Sequence, residues 1–254
     1  RNDQQFAGYL ADADYKVRLA MRARADGGQD VLRRDGGEWK VAEEIPFDDF
    51  LTTNYAGFTT DGETVYLLES RDRNTVGLYA IDVDSGEREL VFEDARADIS
   101  NALTDPRTGE IQAAAADYLR EEWTAIDDDI AGDLERLQAM GPGTASVNAR
   151  TLDDSTWIVA YSAAEAPATY YRYDRESGDM HELFSSRPAL DGAPLVPQWP
   201  VEITSRDGLP LVSYLTLPAH ADPDRDGKAD KAAPMVLFVH GGPWARDSYG
   251  YSGY

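Results

Sequence analysis

Short apolar segments separated by polar turns dominate the first 190 residues of the chain. Thr64–Leu68 follows an Asp-Gly pair, and Thr156–Tyr161 follows an Asp-Asp pair. Both segments are rich in β-branched and aromatic residues, whereas the Asp, Ser and Gly residues between such segments are typical of tight turns. The pattern therefore predicts successive β-strands that are joined by turns.

The strand and turn pattern repeats along the chain. Tyr79–Glu87 recurs as Tyr171–Asp179, with Tyr, Asp, Ser and Gly each displaced by 92 positions. A partial copy lies between them, because Trp123–Asp127 resembles Leu78–Asp82 and lies 45 positions later. A spacing of about 46 residues is that of one propeller blade. The sequence therefore predicts a β-propeller over residues 1–193 with about four blades, either a small propeller or part of a seven- or eight-bladed one.

One stretch departs from the repeat and has helical spacing. Its apolar residues recur every three or four positions, and Gly-Pro-Gly follows at 141–143. This spacing and its terminator predict a short helix between 127 and 140, inserted on the propeller rim. The apolar residues of the predicted helix are Ile130, Leu134, Leu137 and Met140.

A proline-rich stretch at 194–200 marks a change of fold. Beyond it, Val201–Thr204 and Leu211–Leu217 flank an Arg-Asp-Gly turn, which predicts a β-hairpin. After a long loop, Met235–Val239 is apolar throughout, as expected of a strand that is covered on both faces. Residues 194–254 are therefore predicted to begin an α/β-hydrolase domain, with Met235–Val239 as a central strand.

His240, Gly241 and Gly242 follow directly on this apolar run. Residues without side chains let the backbone approach a reacting carbonyl group, and their N–H groups can stabilise an oxyanion. The alternative is that the glycines only permit a tight turn after the strand. The two roles are compatible.

Three segments carry a resemblance to a known family: Ser205–Gly208, Tyr214–Pro218 and Val239–Asp247. With them the chain resembles the prolyl oligopeptidase group of serine peptidases, and within it the acylaminoacyl-peptidase and dipeptidyl-peptidase-like members. The resemblance implies an oxyanion loop at 240–242, with a backbone N–H near Gly242 facing the developing negative charge. It also implies a propeller that filters peptide substrates by size, acyl-enzyme chemistry, and an exported or periplasmic bacterial protein.

The triad of this family, a Ser on a G-x-S-x-G elbow followed by Asp and His, is not recognisable in the sequence. Gly250–Tyr254 imitates the elbow around Ser252, but it begins only eight residues after Gly242, too soon for another strand. His181 and His220 fall where solvated histidines are the ordinary explanation. We therefore expect a fragment truncated before the triad, inactive alone, of a parent serine peptidase.

Two adjacent pairs of charged residues have simpler interpretations. Arg246 and Asp247 are predicted to form a structural ion pair that shapes the loop. Glu121 and Glu122 invite comparison with the acidic pair by which dipeptidyl peptidases hold a substrate amino terminus, but their surroundings do not match well. We interpret them as solvated surface.

An acidic loop has spacing typical of calcium ligands. Carboxylates stand at positions 1, 3, 5 and 9 with Gly at position 6, but position 12 lacks the bidentate acid of an EF-hand. A calcium site that braces the loop is one hypothesis, and a plain acidic hairpin loop is the other. No cofactor is required for the expected hydrolysis. The four candidate ligands are Asp222, Asp224, Asp226 and Asp230.

Charge and composition limit the classes of partner that the protein is expected to bind. The 47 acidic and 24 basic residues give a formal charge of −23, which disfavours nucleic acid and anionic membranes. The absence of cysteine excludes disulfides, thiolate nucleophiles and sulfur-ligated zinc. A peptide substrate is the expected partner, and the oligomeric state is open. Two alternative functions remain: a non-catalytic propeller binding module and an esterase-type α/β-hydrolase.

Overall fold

The computed structural model describes residues 2–141 and 143–253. Within this part of the chain, strands outnumber helices by far, and all sheets are antiparallel. The strands are β1 (Gly8–Ala11), β2 (Val17–Ala23), β3 (Gln29–Asp35), β4 (Glu38–Ile45), β5 (Asn54–Phe58), β6 (Thr64–Glu69), β7 (Gly77–Asp82), β8 (Arg88–Phe92), β9 (Ile99–Thr104), β10 (Ile111–Asp117), β11 (Glu121–Ala125), β12 (Thr144–Arg150), β13 (Thr156–Ala163), β14 (Ala166–Asp174), β15 (Met180–Ser185), β16 (Gln198–Thr204) and β17 (Pro210–Thr216). The α-helix is α1 (Asp128–Gln138), and short 3₁₀ turns lie at Phe47–Asp49 and Pro188–Leu190.

Consecutive strands form consecutive sheets. The first, second and fourth sheets have four strands in chain order, β1–β4, β5–β8 and β12–β15, and the third has the order β11-β10-β9. The hairpin of β16 and β17 forms a fifth sheet. The prediction of strands joined by turns is confirmed, and each repeat of the sequence corresponds to one antiparallel sheet.

The two copies of the sequence repeat fold into the same turn. Asp82 Oδ1 accepts hydrogen bonds from the backbone N–H and the hydroxyl of Ser85, both at 2.7 Å. Asp174 Oδ1 accepts the same two bonds from Ser177 at 3.0 Å. The next residue in each turn is a glycine, with φ of 74° and 75°. The repeat therefore encodes the turn between the third and fourth strands of a sheet.

The chain divides into two compact units, at residues 1–116 and 117–254. In the first unit, Leu10, Tyr55 and Phe58 pack against buried residues of both the first and the second sheet. A second cluster joins Leu78 of β7 to Ala114 of β10. Neighbouring sheets in this unit therefore share apolar cores. The predicted boundary between 193 and 194 lies within the second unit and stays a prediction.

Buried charges join the first two sheets. Arg71 Nη2 lies 2.5 Å from Glu43 Oε1, and Arg88 Nη1 lies 2.7 Å from Glu69 Oε1. Arg71 also pairs with Glu69 and Arg88 with Glu43, and the Tyr55 hydroxyl donates to Glu43 at 2.5 Å. The two carboxylates are almost fully buried, with 10% and 7% of their side chains exposed. Each carboxylate therefore has two arginine partners.

Acid is expected to destabilise the first unit through Glu43. Burial alone raises the pKa of this carboxyl, but hydrogen bonds from Tyr55 and Arg88 outweigh burial and hold the pKa below its ordinary value of 4.5. A group with a lowered pKa stabilises the fold above the unfolded-state pKa, and this contribution is lost as the pH falls through the folded-state pKa. Urea unfolding at a series of pH values should therefore show a loss of stability below about pH 4.5, weaker in Glu43→Gln.

The exposed Glu89 of β8 supplies the control for this titration. Glu89→Gln should leave the acid dependence of the unfolding free energy as in the unchanged protein. Equal acid dependence in Glu43→Gln and the unchanged protein would exclude Glu43 as its source.

The predicted helix is confirmed as α1. The Asp127 carboxylate caps its first turn by accepting a hydrogen bond from the Asp129 N–H at 2.9 Å. Three of its predicted apolar residues are buried, Met140 is half-buried just beyond its end, and Pro142 of the predicted terminator lies outside the described residues. The three buried residues are Ile130, Leu134 and Leu137.

Across residues 2–141 and 143–253, no helix is long and apolar enough to cross a membrane.

A buried polar cluster, here called the Asp154 cluster, ties α1 to the fourth sheet. Trp157 is fully buried, and its indole N–H donates to Asp154 Oδ1 at 2.7 Å. Arg150 Nε donates to the same oxygen at 2.5 Å, and Arg175 Nη1 lies 2.5 Å from Asp154 Oδ2. Both guanidinium groups lie over the Trp157 ring, at 4.8 and 5.1 Å from its centroid. Arg175 also contacts Asp133 of α1 at 2.8 Å, which completes the link.

The two predicted elements beyond residue 200 have different outcomes. The hairpin is confirmed, since β16 and β17 pair from Gln198 with Thr216 through to Thr204 with Pro210. The central strand predicted at Met235–Val239 is wrong for this structure, because the segment forms no strand and its side chains are 60–89% exposed. A strand needs a neighbour to satisfy its backbone groups, and no described strand pairs with this segment.

Candidate functional site

The His-Gly-Gly loop is open to solvent on its glycine side. His240 Nδ1 lies 2.8 Å from the Gly241 carbonyl oxygen, and both glycines are exposed. Gly242 has φ of 156°, and a Cβ atom there would lie 3.0 Å from the Trp244 nitrogen. A Cβ atom at Gly241 would meet nothing within 4 Å. The backbone therefore requires glycine at Gly242 more strictly than at Gly241.

The segment after this loop is fixed by hydrogen bonds to distant parts of the second unit. Arg246 donates to the carbonyl oxygens of Asp117 and Tyr118, the latter at 2.7 Å. The Ser248 hydroxyl donates to Asp117 Oδ2 at 2.9 Å, and the Gly250 N–H donates to the Gln198 side-chain oxygen at 3.0 Å. These contacts hold residues 246–250 against the end of β10 and the start of β16.

Aromatic contacts add to this attachment. The Arg120 guanidinium lies over the Tyr249 ring at 4.1 Å from its centroid, and the ring centroids of Tyr214 and Tyr249 are 6.4 Å apart. Burial, with a smaller contribution from the Asp117 carboxylate, raises the pKa of Tyr214. Sequence reasoning missed Arg120 and Tyr249, because more than 120 positions separate them and no motif marks either one.

The predicted ion pair between Arg246 and Asp247 is wrong. Arg246 Nε donates to the Asp247 backbone carbonyl at 3.2 Å, and the carboxylate that its guanidinium approaches, at 3.7 Å, is that of Asp117. The guanidinium group of Arg246 instead donates hydrogen bonds to the carbonyl groups of Asp117 and Tyr118, at the end of β10. In this geometry it forms no ion pair with the adjacent Asp247 carboxylate.

The remaining charged candidates lie on or near the surface. His181 on β15 and His220 after β17 are both exposed, as expected for solvated histidines, and Ser252 is exposed as well. Glu122 of β11 is exposed, whereas the half-buried Glu121 accepts a hydrogen bond from the Trp123 indole N–H at 3.2 Å. Glu121 is therefore held by a neighbour in its own strand.

The acidic loop gathers three of its four predicted ligands. Carboxylate oxygens of Asp222, Asp224 and Asp226 lie within 4.8 Å of one another. Asp230 is not part of this group, and its backbone N–H donates to the Ala221 carbonyl at 2.9 Å. Three carboxylates suit a hard cation such as Ca²⁺, and calcium binding stays a prediction.

Asp222 also stabilises the loop through hydrogen bonds that require no bound ion. It is buried, and its Oδ1 accepts the Asp226 N–H at 2.9 Å. Its Oδ2 accepts the Gly227 N–H and the Trp199 indole N–H, both at 3.2 Å. Gly227 has φ of 80° and lies so close to Trp199 that a Cβ atom would be 2.8 Å from the ring. The loop therefore has the contacts of a plain acidic hairpin loop as well as the carboxylates of a cation site.

Asp222→Ala is expected to lower the free energy of unfolding by about 1–3 kcal/mol in the presence of a chelator, because three hydrogen bonds to the buried Asp222 carboxylate are lost. The control is Asp224→Ala, which removes an exposed carboxylate and should change stability by less than about 0.5 kcal/mol. Urea unfolding in EDTA measures both effects. Equal stability of the two variants in EDTA would contradict the ion-free role of Asp222.

The same two variants test the calcium hypothesis. If the loop binds Ca²⁺, added calcium raises the melting temperature of the unchanged protein and has less effect on both variants. No shift in the unchanged protein at millimolar calcium leaves the plain acidic loop as the explanation.

The comparisons with known proteins point to one group of peptidases. Dipeptidyl aminopeptidase BIII of Pseudoxanthomonas mexicana is 63% identical over 255 residues, which cover 100% of this chain and 37% of that protein. Dipeptidyl peptidase family member 6 of Caenorhabditis elegans is 28% identical over 276 residues, covering 98% of this chain and 37% of the relative. No family model matches the chain. The chain thus spans 37% of the length of these two curated relatives.

The fold has solved counterparts. A puromycin hydrolase variant complexed with PGG superposes with a TM-score of 0.59 at 15% identity, covering 96% of this chain and 38% of that one. At this identity the likeness concerns the fold alone. The evidence that the sequence is related to peptidases is its 63% identity, along the whole chain, to the bacterial dipeptidyl aminopeptidase. The resemblance to the prolyl oligopeptidase family of peptidases that the sequence motifs predicted is thus confirmed.

Proposed function

We propose that this chain is the propeller and oxyanion-loop part of a serine-type peptidase that hydrolyses short peptides through an acyl-enzyme. The observation that carries the proposal is the 63% identity, along the whole chain, to a dipeptidyl aminopeptidase. The exposed backbone of the His-Gly-Gly loop adds support, because a reacting carbonyl group can reach it.

The sheets are proposed to be blades of a propeller that limits access to the active site. Support comes from their order in the chain and from the apolar cores shared by neighbouring sheets of the first unit. A propeller stacks four-stranded sheets around a central channel. We propose that this channel admits short peptides and excludes folded proteins. This assignment includes the boundary at 193/194, after which residues 194–254 begin the hydrolase domain.

The proposed chemistry assigns the loop at 240–242 a role in acyl transfer. A serine hydroxyl attacks the scissile carbonyl carbon while a histidine accepts its proton, and an aspartate orients the histidine. The carbonyl oxygen becomes negatively charged and accepts a hydrogen bond from a backbone N–H near Gly242. Collapse expels the amine, which takes the proton from histidine, and water then hydrolyses the acyl-enzyme. The three triad residues are proposed to lie in a part of the parent protein that this sequence does not contain.

The experiment is labelling with a fluorophosphonate, followed by intact-mass measurement, on this chain and on the longest natural product of its gene. We expect a single adduct on the long product and none on this chain. An adduct on this chain that disappears in Ser252→Ala would identify Ser252 as a nucleophile and contradict the proposal. No adduct on either protein would favour the non-catalytic binding module.

Substrate panels distinguish a peptidase from an esterase. Because its 63%-identical relative is a dipeptidyl aminopeptidase, we expect the long product to release dipeptides from substrates with a free amino terminus. Substrates with a blocked amino terminus should be cleaved more slowly. Turnover of simple esters without turnover of either peptide would support the esterase alternative.

A further inference from the structure

The guanidinium group of Arg246 makes hydrogen bonds mainly to the backbone. One terminal nitrogen donates to the Tyr118 carbonyl at 2.7 Å, the other donates to the Asp117 carbonyl, and Nε donates to the Asp247 carbonyl at 3.2 Å. The Tyr214 hydroxyl lies 3.5 Å away. A planar fork that engages two neighbouring carbonyls fixes orientation as well as position, which a lysine ammonium does not do.

A short and stiff connection joins this anchor to the His-Gly-Gly loop. Four positions separate Gly242 from Arg246, and the intervening Pro243 has its φ locked by its ring. The Ala245 N–H donates to the Pro243 carbonyl at 3.0 Å, which closes a tight turn between them. A displacement of Arg246 is therefore expected to move the Gly242 backbone by a similar amount.

The loop itself lies outside the strands and helices of the described residues. The preceding run Met235–Val239 pairs with no strand among the described residues, and both glycines of the loop are exposed. Beyond the anchor, Ser248 and Gly250 make the next hydrogen bonds, to Asp117 and Gln198. Arg246 thus ties the segment after the loop to the end of β10.

We propose that Arg246 is a positioning residue that holds the oxyanion loop through the carbonyls of Asp117 and Tyr118. The inference rests on the proposed function and adds to it the means by which the Gly242 backbone is kept in place. Arg246 touches no reacting atom. Its contribution is to keep a backbone donor where charge develops in the transition state, which substrate binding in the ground state does not require.

The test uses the longest natural gene product with Arg246→Ala, Arg246→Lys and the control Arg206→Ala, which changes an exposed arginine in the turn of the β16–β17 hairpin. For Arg246→Ala we expect kcat to fall about 100-fold with KM nearly unchanged, since a displacement of about 1 Å has that effect on an oriented reaction. Arg246→Lys should recover part of the loss, because an ammonium group can reach one carbonyl. Arg206→Ala should match the unchanged enzyme.

A peptide boronic acid provides the readout that a merely structural role would not change. It forms a tetrahedral adduct with the nucleophile, so its affinity should fall in parallel with kcat, whereas the affinity of a product peptide should stay constant. Unchanged kcat in Arg246→Ala would overturn the proposal. A lower kcat that is accompanied by a higher KM and a lower melting temperature would overturn it as well. If Arg246→Ala does not fold, the same measurements on Arg246→Lys decide.

Fluorophosphonate labelling of the unchanged long product separates the two proposals. A labelled parent whose Arg246 variants keep full kcat overturns the positioning role alone. An unlabelled and inactive parent overturns the proposed function, and the positioning role with it.

Discussion

Asp154→Ala is expected to destabilise the fourth sheet by about 3–5 kcal/mol, the usual effect of removing one partner from a buried ion pair. Asp154 and Arg150 each have only 5% of their side chains exposed. Without the carboxylate, the Arg150 charge and the Trp157 indole N–H stay buried with no acceptor from Asp154. Arg175 keeps its ion pair with Asp133, so the loss of stability arises mainly at Arg150.

The control for this variant separates charge from backbone conformation. Asp154 has φ of 57°, and the exposed Asp72 has φ of 58°, so alanine meets the same backbone strain at both positions. Urea unfolding followed by tryptophan fluorescence should show a loss of at most about 1 kcal/mol for Asp72→Ala. Equal losses in the two variants would mean that strain, and not the Asp154 cluster, accounts for the effect.

Gly242→Ala is expected to lower kcat of the long gene product by about 10²–10³-fold, the usual effect of losing one oxyanion donor. At φ of 156° an L residue is strained, and the new Cβ atom would stand 3.0 Å from the Trp244 nitrogen. Relief of this contact moves the backbone N–H groups that are proposed to face the oxyanion. Steady-state kinetics on a dipeptide substrate measures the loss.

Gly241→Ala is the matched control, because its Cβ atom would meet nothing within 4 Å. It should keep kcat within about threefold, since it removes no N–H group and strains no contact. If the two alanine variants lose activity equally, the oxyanion donor does not depend on the special backbone of Gly242. If neither variant loses activity, the strain and close contact at Gly242 do not displace the oxyanion donor, which contradicts the prediction for Gly242→Ala.

Local features of the fold could be predicted from the sequence. Helix α1, the hairpin of β16 and β17, and the repeated turn at Asp82 and Asp174 all depend on residues a few positions apart. Spacing, caps and turn residues act over that range, so the pattern of apolar and polar positions determines them.

Interactions across long stretches of sequence could not be predicted. Arg246 reaches carbonyls 128 and 129 positions away, and a backbone carbonyl has no signature in a sequence. The apolar pattern of Met235–Val239 is that of a strand, but pairing depends on a partner that the segment itself does not specify.

One non-local feature did have a signal in the sequence. Asp154 lies 92 positions after Gly62, the same displacement as in the repeat, and both residues have positive φ, 57° and 74°. An aspartate where the other copy has glycine is a departure that local turn chemistry does not require. The buried contacts of Asp154 with Arg150 and Trp157 explain the exchange.

The exposed run at Met235–Val239 is bounded by prolines, which has consequences for self-association. Proline has no N–H group to donate to a neighbouring strand, and Pro234 and Pro243 leave eight residues between them. Two of these eight are glycines, which have low β-propensity. The prolines therefore act as gatekeepers that confine intermolecular β-pairing, the first step toward amyloid-like aggregation, to a segment of about six residues.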